Sequence, residues 1–436
     1  MRGNYCEIQM VNLRLPQILA PCLAASLLAL PVLAAAAPNI SPLGNVPDWS
    51  SIEQYQGTIT RDEFKRLLET VYCPRGISGN LLQLEAEVVR IRIDREQESW
   101  FTLRFAKDEG ARKPVPRAWR PLEALPRAPA GRELEGLKIA IDPGHIGGSW
   151  AQMEERWFQV GDSEPIKEGD MTLHVAKLLA PRLRKLGATV SLVRDKPEPV
   201  TPKRPNDLSE VSRKILLRAG NPKPRDDYDG PADPQKDQTL RWQNELLFYR
   251  NSEIRQRAAI VNDDLRRDVV LCLHFNAEGW DDPKNPKLID RNHLHMLVNG
   301  SYLDAELEFD DVRFEMLKRL LSRTYTEELP LSEKLAETMA RRTHLPPYEY
   351  TTPNVVKVGT TGYVYARNLI ATRLYHAPVI YFEPYVMNSD EVFWRIQEGD
   401  YDGIRNVNGT DRPSIYREYA DGVIDGLVEY YRARCK

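Results

Sequence analysis

The sequence predicts an α/β fold, a mostly parallel or mixed central sheet flanked by helices, with a small α+β module ahead of it. Three observations lead there. From Gly136 onward, short apolar runs alternate with amphipathic helical stretches, the pattern of a layered α/β domain. Residues 269–275 form a nearly continuous apolar run, as expected of a strand buried on both faces. Met171, Val175, Leu178, Leu179, Leu183 and Leu186 fall on one side of a helix, and Gly187 ends it as a C-terminal cap would.

Taken in chain order, the N-terminus reads as an export signal over 1–37. Arg14 is a positive flank, residues 15–33 are largely apolar, and Ala34-Ala35-Ala36-Ala37 is a small-residue cleavage site. Pro16, Pro21 and Pro31 interrupt the run, which is short for a membrane span. No second apolar span follows, so no stable membrane span is expected after signal cleavage. Thr60-x-x-Glu63 is a capping box that opens a helix with Phe64, Leu67, Leu68 and Val71 on one side. Strands over 84–93 and 100–105 complete a module at 57–107, and a Pro- and Arg-rich linker is read at 108–135.

The main domain is read at 136–434. Residues 137–142 alternate as a strand, Asp170 caps the helix that follows, and 189–193 is the next strand. Pro181 inside that helix costs about 3 kcal/mol or forces a kink. Residues 246–262 read as a helix, 293–298 and 378–382 as strands, 332–342 and 415–432 as helices. Long excursions occupy about 196–240 and 280–330; within the second, acidic 303–330 is partly helical.

Composition sets limits. With 436 residues, 42% apolar and 28% charged, the chain can bury a sizeable core. A net charge of −3 gives no basic surface for phosphates, so no nucleic-acid partner is expected. Outside the signal, Cys73, Cys272 and Cys435 are an odd number without CxxC spacing, which argues against a disulfide framework. Cys272 reads as a small buried hydrophobe.

Three apolar strands each end at a group able to do metal chemistry. Residues 139–144 deliver His145, 270–273 deliver His274, and 379–382 deliver Glu383. Open α/β sheets bind ligands at the carboxyl ends of their strands. Glu168 stands just before the Asp170 helix, whose dipole favours a carboxylate there. Two imidazoles and a carboxylate make an open catalytic Zn2+ site, and Glu383 is the carboxylate expected to take the proton of the attacking water. Asp142 reads either as a hydrogen-bond partner of a ligand imidazole or as a turn former. His174, His293, His295, His344 and His376 read as structural, although His293 and His295 alternate and face one side of a strand.

These residues resemble the zinc N-acetylmuramoyl-L-alanine amidases of the amidase-3 type, with their phosphorylase/hydrolase-like fold, which cut between muramic acid and the stem peptide of peptidoglycan. The resemblance runs from about 136 to 434. It rests on Ile141-Asp142-Pro143-Gly144-His145, Glu168-Gly169-Asp170-Met171-Thr172-Leu173, residues 187–195, residues 257–262, Leu273-His274-Phe275-Asn276-Ala277 and Phe382-Glu383. It implies His145, Glu168 and His274 as Zn2+ ligands and Glu383 as catalytic carboxylate. It also implies a peptidoglycan or muropeptide substrate, an activator protein as partner, and a place in the periplasm or cell envelope. Ile146 stands where the family usually has glycine, and Pro384-Tyr385-Val386-Met387-Asn388-Ser389 where it shows Gly-Phe and then Ser-Asn. Some relatives carry a helix that plugs the site; acidic 303–330 occupies a similar place and reads either as a lid or self-inhibitory element, with Glu306, Glu308 and Glu315 as carboxylates facing the metal, or as a solvated surface excursion. Two other readings remain, a non-catalytic wall-binding or regulatory protein on the same fold, and a zinc amidohydrolase with another substrate.

Overall fold

The computed structural model describes residues 38–94, 98–280 and 287–435, so the export signal read at 1–37 lies outside the described residues. Helix α1 (Arg61–Leu67) starts at Thr60, whose side chain accepts the Glu63 N–H as the capping box requires. Strands β1 (Leu82–Leu84), β2 (Val88–Asp94) and β3 (Ser99–Arg104) form an antiparallel sheet behind it. This N-terminal part is joined to the rest through backbone. Ser301 N donates to Val71 O and Tyr302 N to Tyr72 O, both at 2.7 Å. Along 108–135 the chain crosses the main body, where Trp119 is buried and Arg120 pairs with Asp268 at 2.6 Å.

The main body contains β4 (Lys138–Pro143), a hairpin of β5 (Trp157–Phe158) and β6 (Ile166–Lys167), then α2 (Glu168–Lys185) and β7 (Thr189–Leu192). Next come α3 (Ser209–Arg218), α4 (Leu240–Leu246), α5 (Glu253–Ala259), β8 (Val269–Leu273) and β9 (Leu294–Val298). After α6 (Asp304–Leu307), α7 (Asp310–Ser322) and α8 (Tyr325–Thr343) the chain returns through β10 (Val355–Lys357), β11 (Val364–Arg367), α9 (Ile370–Leu374) and β12 (Val379–Pro384). Helices α10 (Asp390–Gln397) and α11 (Ile415–Tyr431) follow.

The central sheet has seven strands in the order β10-β11-β9-β12-β8-β4-β7. Strands β12, β8, β4 and β7 are parallel, and β9 runs against β12. It is therefore mixed, and helices cover it. On one face Ile141, Leu271, Leu273 and Phe382 meet α2, α8 and α11 through Val175, Leu179, Leu335, Tyr419 and Val423. On the other, Ala140, Val270, Cys272, Leu297 and Tyr381 pack with Ala258 and Val261. The period-2 alternation of the strands puts His274, Tyr381 and Glu383 on this second face.

Several expectations change. The helix read at 246–262 extends from α4 through α5, its turns widened to π geometry at Leu247–Ser252 and Ile260–Leu265. Pro181 stays inside α2; its cost of about 3 kcal/mol is offset by Met171, Val175, Leu179 and Leu183, each contributing roughly 1.5–3 kcal/mol when buried. Acidic 303–330 is no lid. It forms α6, α7 and the start of α8, with Leu307, Val312, Met316, Leu317, Leu320 and Leu321 in the core. Cys73, Cys272 and Cys435 are free, and Cys272 is fully buried as a hydrophobe. Among the described residues, no helix is long and apolar enough to cross a membrane.

Candidate active site

The turn after β4 is built to hold one imidazole. His145 has φ +60°, the left-handed region, which costs about 1–3 kcal/mol in a non-glycine residue. Arg257 over-determines it, donating to Pro143 O at 2.7 Å and His145 O at 2.8 Å while pairing with Asp142 and Glu253 at 2.9 Å. Thr172 Oγ1 donates to Gly144 O at 2.7 Å. Asp142 thus serves neither role expected of it; its carboxylate accepts from Arg257 and from the Tyr375 hydroxyl, touching no imidazole. Two glycines are needed for close approach. A Cβ on Gly144 would lie 2.2 Å from the His274 ring, and one on Gly169 2.4 Å from the Ile146 carbonyl carbon.

The structure brings His145, Glu168 and His274 together, with ligand atoms all within 4.8 Å of one another. His145 Nε2 lies 3.3 Å from one Glu168 oxygen and His274 Nδ1 3.3 Å from the other. Glu154 sets the His145 tautomer: its carboxylate accepts the His145 Nδ1–H at 2.7 Å and the Ile146 N–H at 2.7 Å. Burial holds His145 well below its usual titration range, helped by Arg156, His274 and Arg257, so the ring is neutral and Nε2 carries a lone pair. Burial opposes ionisation of Glu168, yet the two imidazoles and the Arg156 guanidinium that face it outweigh burial and hold the group below the usual carboxylate range. A lone pair and a carboxylate oxygen facing each other repel unless a cation joins them. Arg156 Nε supplies part of that charge, 3.2 Å from His145 Nε2 and 3.5 Å from Glu168. His274 Nδ1 is buried and, although 3.3 Å from Glu168, makes no well-aligned hydrogen bond. An orphaned imidazole nitrogen, a neutral imidazole and an ionised carboxylate aimed at one point fit a divalent metal.

Glu383 lies near the end of β12, the strand next to β8. It stands two residues beyond Tyr381, whose ring stacks on His274 at 4.2 Å and 13°. Glu383, His145 and Glu168 line one cavity of about 320 Å³, together with Arg156, Trp280 and His295. The unusual loop after Glu383 is pinned to the end of β8. Asn276 N donates to Tyr385 O at 2.8 Å, and Met387 N to Asn276 O at 2.8 Å. Glu306 and Glu315 lie elsewhere: Glu306 accepts the Leu303 N–H, and Glu315 pairs with Arg373 at 2.6 Å. No residue of 303–330 is in the cavity wall.

Sequence reasoning missed Glu154, Arg156 and the place of His295 in the cavity wall. Glu154 and Arg156 sit in a loop with no motif; His295 carried a signal, its alternation with His293 on one strand face. Glu154→Gln should weaken metal affinity about 10–100-fold, because an outer partner that orients a ligand imidazole is worth that much. Competition with a chromogenic chelator measures it, and an unchanged affinity would deny Glu154 that role.

The family described as Amidase_3, N-acetylmuramoyl-L-alanine amidase, matches residues 139–404. The chain belongs to this family. It is accordingly a peptidoglycan amidase, and its His-Glu-His group lies within the matched span. No curated protein matches the chain. Similar solved structures include the apo form of the N-acetylmuramyl-L-alanine amidase Ami1 from Mycobacterium abscessus, 14% identical, covering 68% of this chain and 99% of that one, with a TM-score of 0.38. Ami1 from Mycobacterium smegmatis is 14% identical over 69% of this chain and 99% of that one, with a TM-score of 0.38. The CwlD amidase from Clostridioides difficile, solved in complex with the GerS lipoprotein, is 12% identical over 68% and 99%, with a TM-score of 0.36.

Proposed function

We propose that this amidase is an exported zinc hydrolase of the periplasm or cell envelope that cleaves the amide bond between N-acetylmuramic acid and L-alanine of the stem peptide. His145, Glu168 and His274 hold Zn2+, and Glu383 is the general base. The observation that carries this is the convergence of the His145, Glu168 and His274 ligand atoms within 4.8 Å, with His145 and Glu168 lining the same cavity as Glu383. Zn2+ bound there supplies Lewis acidity, acidifying water and polarising a carbonyl.

The chain's own residues do the rest. Glu383 takes a proton from the attacking water on a carboxylate oxygen and returns it to the departing amine, so one group serves as base and then acid. Glu154 keeps the His145 lone pair on Nε2, and the Tyr381 ring holds His274 in plane. Export follows from the apolar run at 15–33 and the alanines at 34–37.

Purified protein incubated with muropeptides should release free stem peptide. A chelator should stop release, and Zn2+ should restore it. Mass spectrometry that finds the muramoyl–alanine bond intact, or release indifferent to chelation, would overturn the proposal; other amide products would point to a different substrate, and none to a non-catalytic wall-binding protein.

A further inference from the structure

Four neighbouring strands carry a row of polar side chains across one end of the sheet. Strands β4, β8, β12 and β9 lie side by side, and they deliver His145, His274, Glu383 and His295. Neighbouring strands are about 4.8 Å apart, so His295 lies one strand beyond Glu383 and roughly 10 Å from the strand of His274. The antiparallel register of β12 and β9 sets Glu383 directly opposite His295. Directly opposed residues share a face, with Cβ atoms about 4.5–5.5 Å apart.

His295 is 1% exposed and lines the same cavity as Glu383. The Tyr350 hydroxyl lies 2.8 Å from its Nε2, and the Tyr350 ring stands edge-on to it at 5.1 Å. Burial keeps His295 uncharged, with His293 and Arg367 acting the same way. In a neutral ring whose Nε2 accepts the tyrosine proton, Nδ1 carries the hydrogen. That Nδ1 is buried and has no hydrogen-bond partner. A buried donor without an acceptor costs about 1–3 kcal/mol, which an incoming oxygen would recover. Arg367 is also buried, lines the same cavity, and stands 5.8 Å from the Tyr350 ring. An N–H donor and a guanidinium lining one cavity select an ionised oxygen acceptor over a neutral one.

We infer that His295 and Arg367 form the peptide-recognising end of the cleft, where the His295 Nδ1–H and the Arg367 guanidinium take the free carboxylate of the second stem residue. This rests on the amidase reading of the cleft. The scissile nitrogen belongs to the first stem residue, and one Cα–Cα step of about 3.8 Å plus the next carboxyl carbon reaches roughly 6–7 Å beyond it. That span takes the carboxylate past Glu383 toward β9, on the side away from the metal ligands.

The test uses two muramoyl tripeptides that differ only at the second stem residue, one with a free α-carboxylate and one with its carboxamide. The wild type should favour the acid form about 10-fold or more in kcat/KM, through KM. His295→Leu and Arg367→Met should each remove most of that preference. His295→Asn, which keeps an N–H donor near the Nδ1 position, should retain part of it. Equal treatment of the two forms by the wild type would overturn the inference, as would His295→Leu slowing both alike. Metal content and Tm of each variant identify any that has lost its metal or its fold. If neither tripeptide is cleaved, the amidase reading fails on its own account. Calorimetric affinities of the two peptides for the wild type and His295→Leu then decide, and equal affinities for the wild type end the inference.

Discussion

Glu383→Gln is expected to lower kcat about 10²- to 10⁴-fold while leaving bound zinc unchanged. Glutamine has the size of glutamate and still forms hydrogen bonds, but it has no basic oxygen to take a proton from water. Proton transfer by a positioned side chain is worth that range of rate, about 2.7–5.4 kcal/mol at 1.36 kcal/mol per decade. Zinc should stay because Glu383 is not among the three groups whose ligand atoms converge. The fold should stay as well, since Phe382 and Tyr381 make the core contacts at this end of β12. Steady-state kinetics beside elemental analysis checks both halves. Activity within threefold of wild type would remove Glu383 from the chemistry; loss of zinc would make it a ligand.

His274→Ala should abolish both zinc retention and hydrolysis. His274 supplies one of three ligand atoms, and its Nδ1 is the one left buried without a hydrogen bond. Two protein ligands alone do not make the open three-ligand site of a catalytic zinc. The ring also fills the space between Gly144 and Tyr381, so its loss unseats the neighbouring turn as well as the metal. The expected result is near-zero zinc after dialysis, with no stem peptide released at any protein concentration that gives full turnover in the wild type. A variant that kept stoichiometric zinc would dismantle the His145–Glu168–His274 assignment.

The site was legible to different depths. His145, His274 and Glu383 could be read because each follows an apolar run, and a polar group at the end of a buried strand stands out against its neighbours. Glu168 could be read from its place before an amphipathic helix. Glu154 could not, because its link to His145 depends on a loop folding back between Trp150 and Arg156, where no periodic pattern exists. The acidic stretch 303–330 misled for a related reason. Its charges suggested solvent, but Asp310 pairs with Arg313, Asp311 with Arg255 and Glu315 with Arg373, which lets the intervening leucines enter the core. The short strands β10, at the edge, and β11, beside it, escaped notice because three or four residues carry too little alternation to register.

Local order came from the chain alone: strands of period 2, helices of period 3.6, caps, and the four groups competent for zinc chemistry. Those properties depend on residues within a turn or two of one another, so their pattern is written along the chain. Tertiary structure alone decided which strands stand side by side, that β9 runs against β12 and sets His295 opposite Glu383, and that His274 Nδ1 faces Glu168 without a well-aligned hydrogen bond. Such relations join residues about a hundred positions apart. They are selected by which packing of the whole sheet buries the most apolar surface while leaving the fewest polar groups unpaired.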